Sequence, residues 1–398
     1  MSADTPALSP EEGAALADAL ERLLAERYDF TRDRPGQLPT ASAQLPPIWS
    51  ALGEIGLHGL MLPGDFDGIG GGVVELQLVQ QAFGRWLVIA PWFENAICAR
   101  ALVLGGSAKQ KAAWLPFMAE GGSPIVPALR DGVVLDGVVG AFADGAVTGR
   151  AGGAAPGAPL GVRADAHGAG WHLHGQRAAV AHAACASRLL VAARLADGTA
   201  GLFVVDTQAA GLTQAARRLV DGSWVSGLRF DGVAAEPLAG LPLASHGVLL
   251  RSLHAFAIAG VLAESLGACE AALVASVQYL RTRKQFGQPL ADYQALRHRV
   301  AEMYIEIEQL RSACELAAEA SAADAAAHSR ASDQALLVGT QSATWVLQQA
   351  IQLHGGMGMT EALPVGHHYR RLLVQAACWG DVREALNRLR AGGGNDAR

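Results

Sequence analysis

Three long stretches of helical periodicity dominate the C-terminal part of this 398-residue chain, and they constrain its fold more than any other feature. They run from Val248 to Arg283, from Tyr293 to about Ala322, and from Ser332 to Leu353, parted by Pro289 and by Gly355, Gly356 and Gly358. Helices of this length hold their shape by burying apolar faces against one another, so the pattern predicts a helical bundle. The stretch Leu253 to Val277 is apolar and rich in Ala, but Glu264 and Glu270 interrupt it. It reads as a buried core helix before a membrane span. A composition of 51% hydrophobic and 17% charged residues fits large internal or intersubunit surfaces.

Upstream the texture differs. Residues 1–122 read as mainly helical. Ser9-Pro10-Glu11-Glu12 is a helix start, and Leu16, Leu20, Leu23 and Leu24 follow at helical spacing. Leu62 to Gly72 is too rich in Gly and Asp for regular structure and predicts a tight loop between two helices. From 123 to 240, short β-prone runs appear between Gly, Pro and Asp: Gly132–Val139, Trp171–His174, Ser187–Arg194, Gly201–Asp206 and Gly227–Phe230. Ala151 to Gly161 reads as a surface loop. The expected fold is α+β: an N-terminal helical domain (1–122), a small antiparallel β domain (123–240) and a C-terminal four-helix-bundle domain (241–398). A net charge of −6 argues against a nucleic-acid partner. The opening is acid-rich and amphipathic rather than a leader sequence. Five scattered cysteines without metal spacing predict reduced thiols and a cytoplasmic protein.

Two motifs in the bundle region are more specific. Arg281-Thr-Arg-Lys-Gln-Phe-Gly-Gln-Pro-Leu290, followed by Tyr293-Gln-Ala-Leu296, resembles the central signature of the acyl-CoA dehydrogenase family. Gln352-Leu-His-Gly-Gly-Met-Gly-Met-Thr-Glu361 resembles its second signature, at the expected separation. The resemblance implies an FAD enzyme that oxidises an acyl-CoA thioester to the 2,3-enoyl-CoA and hands electrons to electron-transfer flavoprotein. In this family FAD lies in a cleft between β domain and bundle, and its pyrophosphate reaches a neighbouring subunit. Arg283 then offers a planar fork of donors to that pyrophosphate. Gln285 and Phe286 supply a hydrogen bond and an apolar wall, and Gln352, Gly355 and Gly356 let backbone approach the adenosine end.

The other family positions depart from the pattern. The flavin contacts of the β domain come from a Thr-Glu-Pro-like stretch, where this chain has Pro127-Ala-Leu-Arg-Asp-Gly132. They come also from an aromatic-Ile-Thr/Ser stretch, where it has Gly175-Gln-Arg-Ala-Ala-Val-Ala-His182. His182 replaces one polar group or is structural. The reaction needs a carboxylate to take the α-proton. Trp379 stands at the usual Glu position, and the alternative position on the helix before Arg283 is Ala257. Trp has no basic side-chain nitrogen. Glu264, about 10 Å along the helix from Ala257, is a candidate substitute base or a buried structural acid. Asp381 reads as a helix cap.

These departures resemble those of the pimeloyl-CoA dehydrogenase small subunit and of heteromeric dehydrogenases of steroid side chains. Shared features include Arg27-Tyr-Asp-Phe30, the run Val365-Gly-His-His-Tyr-Arg-Arg371 and Trp379-Gly-Asp381. The resemblance implies an α2β2 heterotetramer in which a paralogous catalytic subunit supplies the base and this chain completes its flavin site. Two other readings stay open: a homomeric dehydrogenase with Glu264 as relocated base, and a non-catalytic structural subunit.

Overall fold

The computed structural model describes residues 7–33, 44–130, 161–168, 170–322, 325–380 and 382–393. Helix α1 (Pro10–Arg27) begins as the sequence predicts: the Ser9 hydroxyl accepts from the Glu12 amide and the Glu12 carboxylate accepts from the Ser9 amide. A short turn, α2 (Phe30–Asp33), follows, then α3 (Ile48–Glu54), α4 (Val73–Trp86), α5 (Trp92–Gly105) and α6 (Ala108–Ala119). The predicted loop before α4 holds a single 3₁₀ turn, Gly64–Phe66.

The β region contains β1 (Ile125–Ala128), β2 (Val162–His167), β3 (Gly170–Ala181), β4 (Arg188–Arg194), β5 (Ala200–Asp206), β6 (Leu212–Arg218) and β7 (Trp224–Pro237). The pairing order is β1-β4-β2-β3-β7-β5, and β5 also pairs with β4, so the sheet closes on itself; β6 flanks β7. The pairings of β4 with β1 and β2 are parallel and the rest antiparallel. Leu173, Val191, Phe203, Phe230 and Val233 fill the interior. The runs expected at 171–174 and 227–230 are pieces of longer strands. Strands β1, β2 and β6 escape the sequence pattern: β1 contains Pro127, β2 exposes Arg163 and Asp165 on one face, and β6 is largely exposed on both faces. The strand expected at Gly132–Val139 and the loop expected from Ala151, except Gly161, lie outside the described residues.

The bundle is built from α7 (His246–Thr282), α8 (Gln294–Ala322), α9 (Ala325–His354), α10 (Pro364–Trp379) and α11 (Val382–Gly393). Helix α9 starts before Ser332, because the Ala-rich run ahead of it has no breaker. Helix α7 is long and apolar enough to cross a membrane, yet 78% of its apolar window is buried inside the protein, as expected of a core helix. It crosses α4 at very close range through two glycines. A Cβ added at Gly84 would lie 1.8 Å from the Glu264 carbonyl oxygen, and one at Gly267 would lie 1.9 Å from that of Gln81. This crossing sets Glu264 against Gln80 of α4.

Candidate functional site

The last turn of α7 delivers the first motif to the surface. The Arg283 amide still donates to the Tyr279 carbonyl (2.8 Å), and the chain then enters a two-residue hairpin, β8 (Lys284–Gln285) with β9 (Gln288–Pro289). Its turn residues, Phe286 and Gly287, both have positive φ (53° and 89°). That geometry suits a tight hairpin, but a bulky residue rarely adopts it. Phe286 is held there with its side chain 91% exposed. Backbone strain of this kind concentrates at ligand clamps. The Tyr293 hydroxyl braces the hairpin by donating to the Gln285 carbonyl (3.1 Å).

The second motif arrives beside the first. His354 at the end of α9 packs its ring on Tyr279 at 4.7 Å between centroids, one turn before Arg283. Its Nδ1 lies 2.8 Å from the Ala350 carbonyl. The chain then turns through Gly355 (φ 58°). A Cβ at Gly355 or Gly356 would meet nothing within 4 Å, so this backbone faces open space. Arg283, Gln285, Phe286, Gln352, Gly355 and Gly356 are all exposed. They sit at one end of the bundle as a set of exposed donors, an exposed ring and accessible backbone. An exposed guanidinium beside glycine backbone that no side chain covers is a surface that a nucleotide pyrophosphate can approach.

The seam between β region and bundle is its opposite. Strand β1 is held by α5, whose Asn95 Oδ1 accepts from the Ile125 amide (3.0 Å). Directly after β1, Arg130 reaches across to the bundle. Its Nη1 donates to the Trp379 carbonyl (3.0 Å) and lies 3.1 Å from His254 Nε2, while its Nη2 is paired with Glu384. Burial, then Arg130 and Arg388, push the His254 pKa well down, leaving a neutral imidazole beside the guanidinium. The Trp379 indole packs edge-on against Phe93 at 5.5 Å. Further along, Ala179 and Ala181 of β3 join Leu219, Val225, Val374 and Cys378 in one apolar cluster that joins β region to α10.

Behind that cluster lies a buried charge network. Arg371 of α10 donates to Glu264 (2.6 Å) and Asp221 (3.2 Å). Glu264 Oε2 also accepts from Gln375 (2.6 Å) and Gln80 (3.2 Å). Burial opposes the Arg371 charge, but Glu264 and Asp221 outweigh it and raise its pKa. Next to it, His182 stands in a left-handed conformation at the end of β3, with Nε2 3.9 Å from Glu94 Oε2. Burial raises the Glu94 pKa to about 7, against the pull of Arg371. Burial and Arg371 lower that of His182 to about 4.

Two groups of sequence-predicted positions therefore part company. Arg283, Gln285, Phe286, Gln352, Gly355 and Gly356 come together on an open surface. Trp379, Ala257, Glu264 and His182 lie along a filled seam. Glu264 has the Arg partner of a structural acid, and both its oxygens are engaged. Asp381 lies outside the described residues. Sequence reasoning passed over Arg130, Asp221, Gln375 and Glu94. A faint signal existed for one pairing: Arg371 in an apolar helix needs a carboxylate, and Glu264 in another needs a cation. In the seam, no hydroxyl stands at positions 127–130 or 178–182, and Arg130 donates across it to the Trp379 carbonyl, so among the described residues these positions do not offer a flavin ring the hydroxyl contacts of the family pattern.

Comparison with known proteins identifies the family. Residues 10–122 match the model of the acyl-CoA dehydrogenase N-terminal domain, and residues 252–387 match that of the acyl-CoA dehydrogenase C-terminal domain. The chain is 26% identical to acyl-CoA dehydrogenase FadE12 of Mycobacterium tuberculosis over 375 residues, covering 90% of this chain and 89% of that one. Among solved structures, a variant of the Tcur3481-Tcur3483 steroid ACAD superposes with a TM-score of 0.83 at 27% identity, covering 97% of this chain and 99% of that one. The ChsE4-ChsE5 complex from Mycobacterium tuberculosis gives 0.74 at 21% identity, covering 99% and 100%. FAD is this family's cofactor, and its enzymes are oxidoreductases acting on CH–CH bonds. With both domain models matched and the fold shared from end to end, the chain belongs to the acyl-CoA dehydrogenase family.

Proposed function

We propose that this chain is the base-free subunit of a heteromeric acyl-CoA dehydrogenase, lending its Arg283 hairpin and Gln352–Gly356 turn to the FAD site of a paralogous subunit. The observation that carries this reading is the contrast between the open surface at 283–286 and 352–356 and the seam filled by Arg130, Val374 and Cys378. FAD bound at the shared site supplies the hydride acceptor for conversion of an acyl-CoA to the 2,3-enoyl-CoA. Arg283 donates to the pyrophosphate, Gln285 adds a hydrogen bond, and Phe286 shields the cofactor from water. Gly355 and Gly356 allow backbone approach because no side chain stands in the way.

No residue of this chain at the family's base positions takes the α-proton. The Trp379 indole is only a donor, Ala257 has no polar atom, and Glu264 is held by Arg371, Gln375 and Gln80. The base therefore comes from the partner, in an α2β2 assembly that passes electrons to electron-transfer flavoprotein. The two-protein ChsE4-ChsE5 complex supports the heteromeric assignment by similarity of fold. An acyl chain of the fatty-acid or steroid side-chain class fits the named relatives. Five cysteines without a disulfide support a cytoplasmic setting.

The test is co-expression with a paralogous subunit that carries the Glu. Arg283→Ala should leave the complex assembled and weaken flavin retention by roughly 10-fold or more, as expected for loss of charge-assisted hydrogen bonds. Flavin content and affinity unchanged by Arg283→Ala would overturn the proposal.

A further inference from the structure

We propose that Arg130 is a built-in strut that locks this chain's own flavin cleft shut and joins the β region to the bundle without a cofactor. The inference rests on one part of the functional reading, that this chain holds no flavin in its own seam. It adds how the seam is kept closed.

Arg130 joins two telling positions. Residue 130 stands in the stretch that corresponds to one flavin contact of the family, and residue 379 stands where the catalytic carboxylate usually sits. By the resemblance the family's flavin cleft lies between β region and bundle, the two sides from which these positions come. Here one side chain crosses that gap, its guanidinium donating to the Trp379 carbonyl at 3.0 Å. The other groups around it are arranged as a socket. Glu384, in the first turn of α11, takes one edge of the fork. His254 of α7 faces Nη1, the nitrogen that donates to Trp379, at 3.1 Å. Glu384 is itself held by Arg388 of α11 (3.3 Å), and Arg388 is clamped on Asp333 of α9 by two hydrogen bonds of 2.8 and 2.6 Å. The strut thus runs from β1 through α11 to α9, and touches α7 and the end of α10 on the way.

This arrangement differs from an incidental salt bridge. Arg130 and Glu384 are partly buried, so solvent screens the pair less than an exposed one. A planar fork with acceptors on both edges is the arrangement in which Arg is most specific and least replaceable by Lys. Next to it, Trp379 fills the base position with an indole packed on Phe93. Arg130 and Trp379 therefore close the gap from its two sides.

The experiment uses the heteromeric complex and reads stability, protease resistance and flavin content together. Arg130→Met keeps much of the length of the side chain and removes the fork. It should lower the unfolding temperature of this subunit by several degrees and expose the β region to limited proteolysis, with flavin per complex unchanged. Glu384→Gln should do the same more weakly. The Arg130→Met, Glu384→Gln double variant should lose less than the sum of the two, because both cut one link. Stripping flavin from the wild-type complex should leave protease resistance of this subunit's β region intact. Loss of flavin on Arg130→Met would overturn the proposal by making Arg130 a flavin contact. Additive effects, or none on stability, would overturn it by removing the strut. Neither result touches the Arg283 test, so the two proposals fail separately.

Discussion

Arg371 decides the fate of Glu264. A buried carboxylate on a core helix is a natural place to look for a relocated base, and the sequence leaves that option open. In the folded chain Glu264 serves as counter-ion to Arg371, shared with Asp221 and braced by Gln375 and Gln80. Removing one partner of such a network leaves an uncompensated buried charge. Arg371→Met should destabilise the chain by about 3–5 kcal/mol, read from denaturant midpoints. Glu264→Gln should also destabilise, while turnover per folded complex stays at the wild-type level; abolished turnover with normal stability would restore Glu264 as base. The neighbouring pair makes a pH prediction. Glu94 is raised from 4.5 to about 7, so the folded state binds more protons than the unfolded one in that window, and its contribution to stability falls as pH rises through it. His182 is lowered from 6.5 to about 4, so its contribution falls as pH drops from 6.5 towards 4. The two slopes oppose each other. Stability against pH should steepen upward between 4 and 6.5 in Glu94→Gln, and decline between 4.5 and 7 in His182→Asn, windows set by the two shifted groups.

At the scale of elements, the helices were legible because their periodicity is long and their punctuation clear. Ser9 caps α1, the glycines after His354 end α9, and Pro289 lies in the hairpin that parts α7 from α8, so each signal acts locally. The strands were half legible. β4 and β5 announce themselves by continuous apolar runs, whereas β2 carries charges on one face and β6 is largely exposed, both kept in place by neighbours. Contacts between elements were not legible. Gly84 and Gly267 carry no signal in the sequence, yet they bring α4 and α7 into backbone contact. Gly267→Ala should force the helices apart at a cost of about 1–3 kcal/mol, measurable as a lowered denaturation midpoint. The Arg283 hairpin carries backbone strain at Phe286, whose φ is 53°. Phe286→Gly should relieve the positive φ and leave stability equal or slightly higher, while flavin retention falls with loss of the apolar wall. Weaker stability with unchanged flavin retention would make Phe286 a packing residue only.

At the scale of the whole molecule, the family was readable from two motifs, and the departures from it at 127–132, 175–182 and 379 were readable too. What those departures build was not. Arg130, Glu384 and His254 are far apart in sequence, and only the fold brings them together across the seam. The same fold leaves the two surviving motifs exposed at one end of the bundle, tied by the Tyr279–His354 contact. On the proposed function, a chain whose seam is crossed by Arg130 and whose Arg283 hairpin and Gln352–Gly356 turn stay exposed completes a flavin site only beside another subunit. The most direct measurement is the visible absorbance spectrum of this chain expressed and purified without any other subunit, with acyl-CoA turnover followed in the same sample. The account predicts a colourless protein with no turnover. A yellow homotetramer that oxidises acyl-CoA would contradict it.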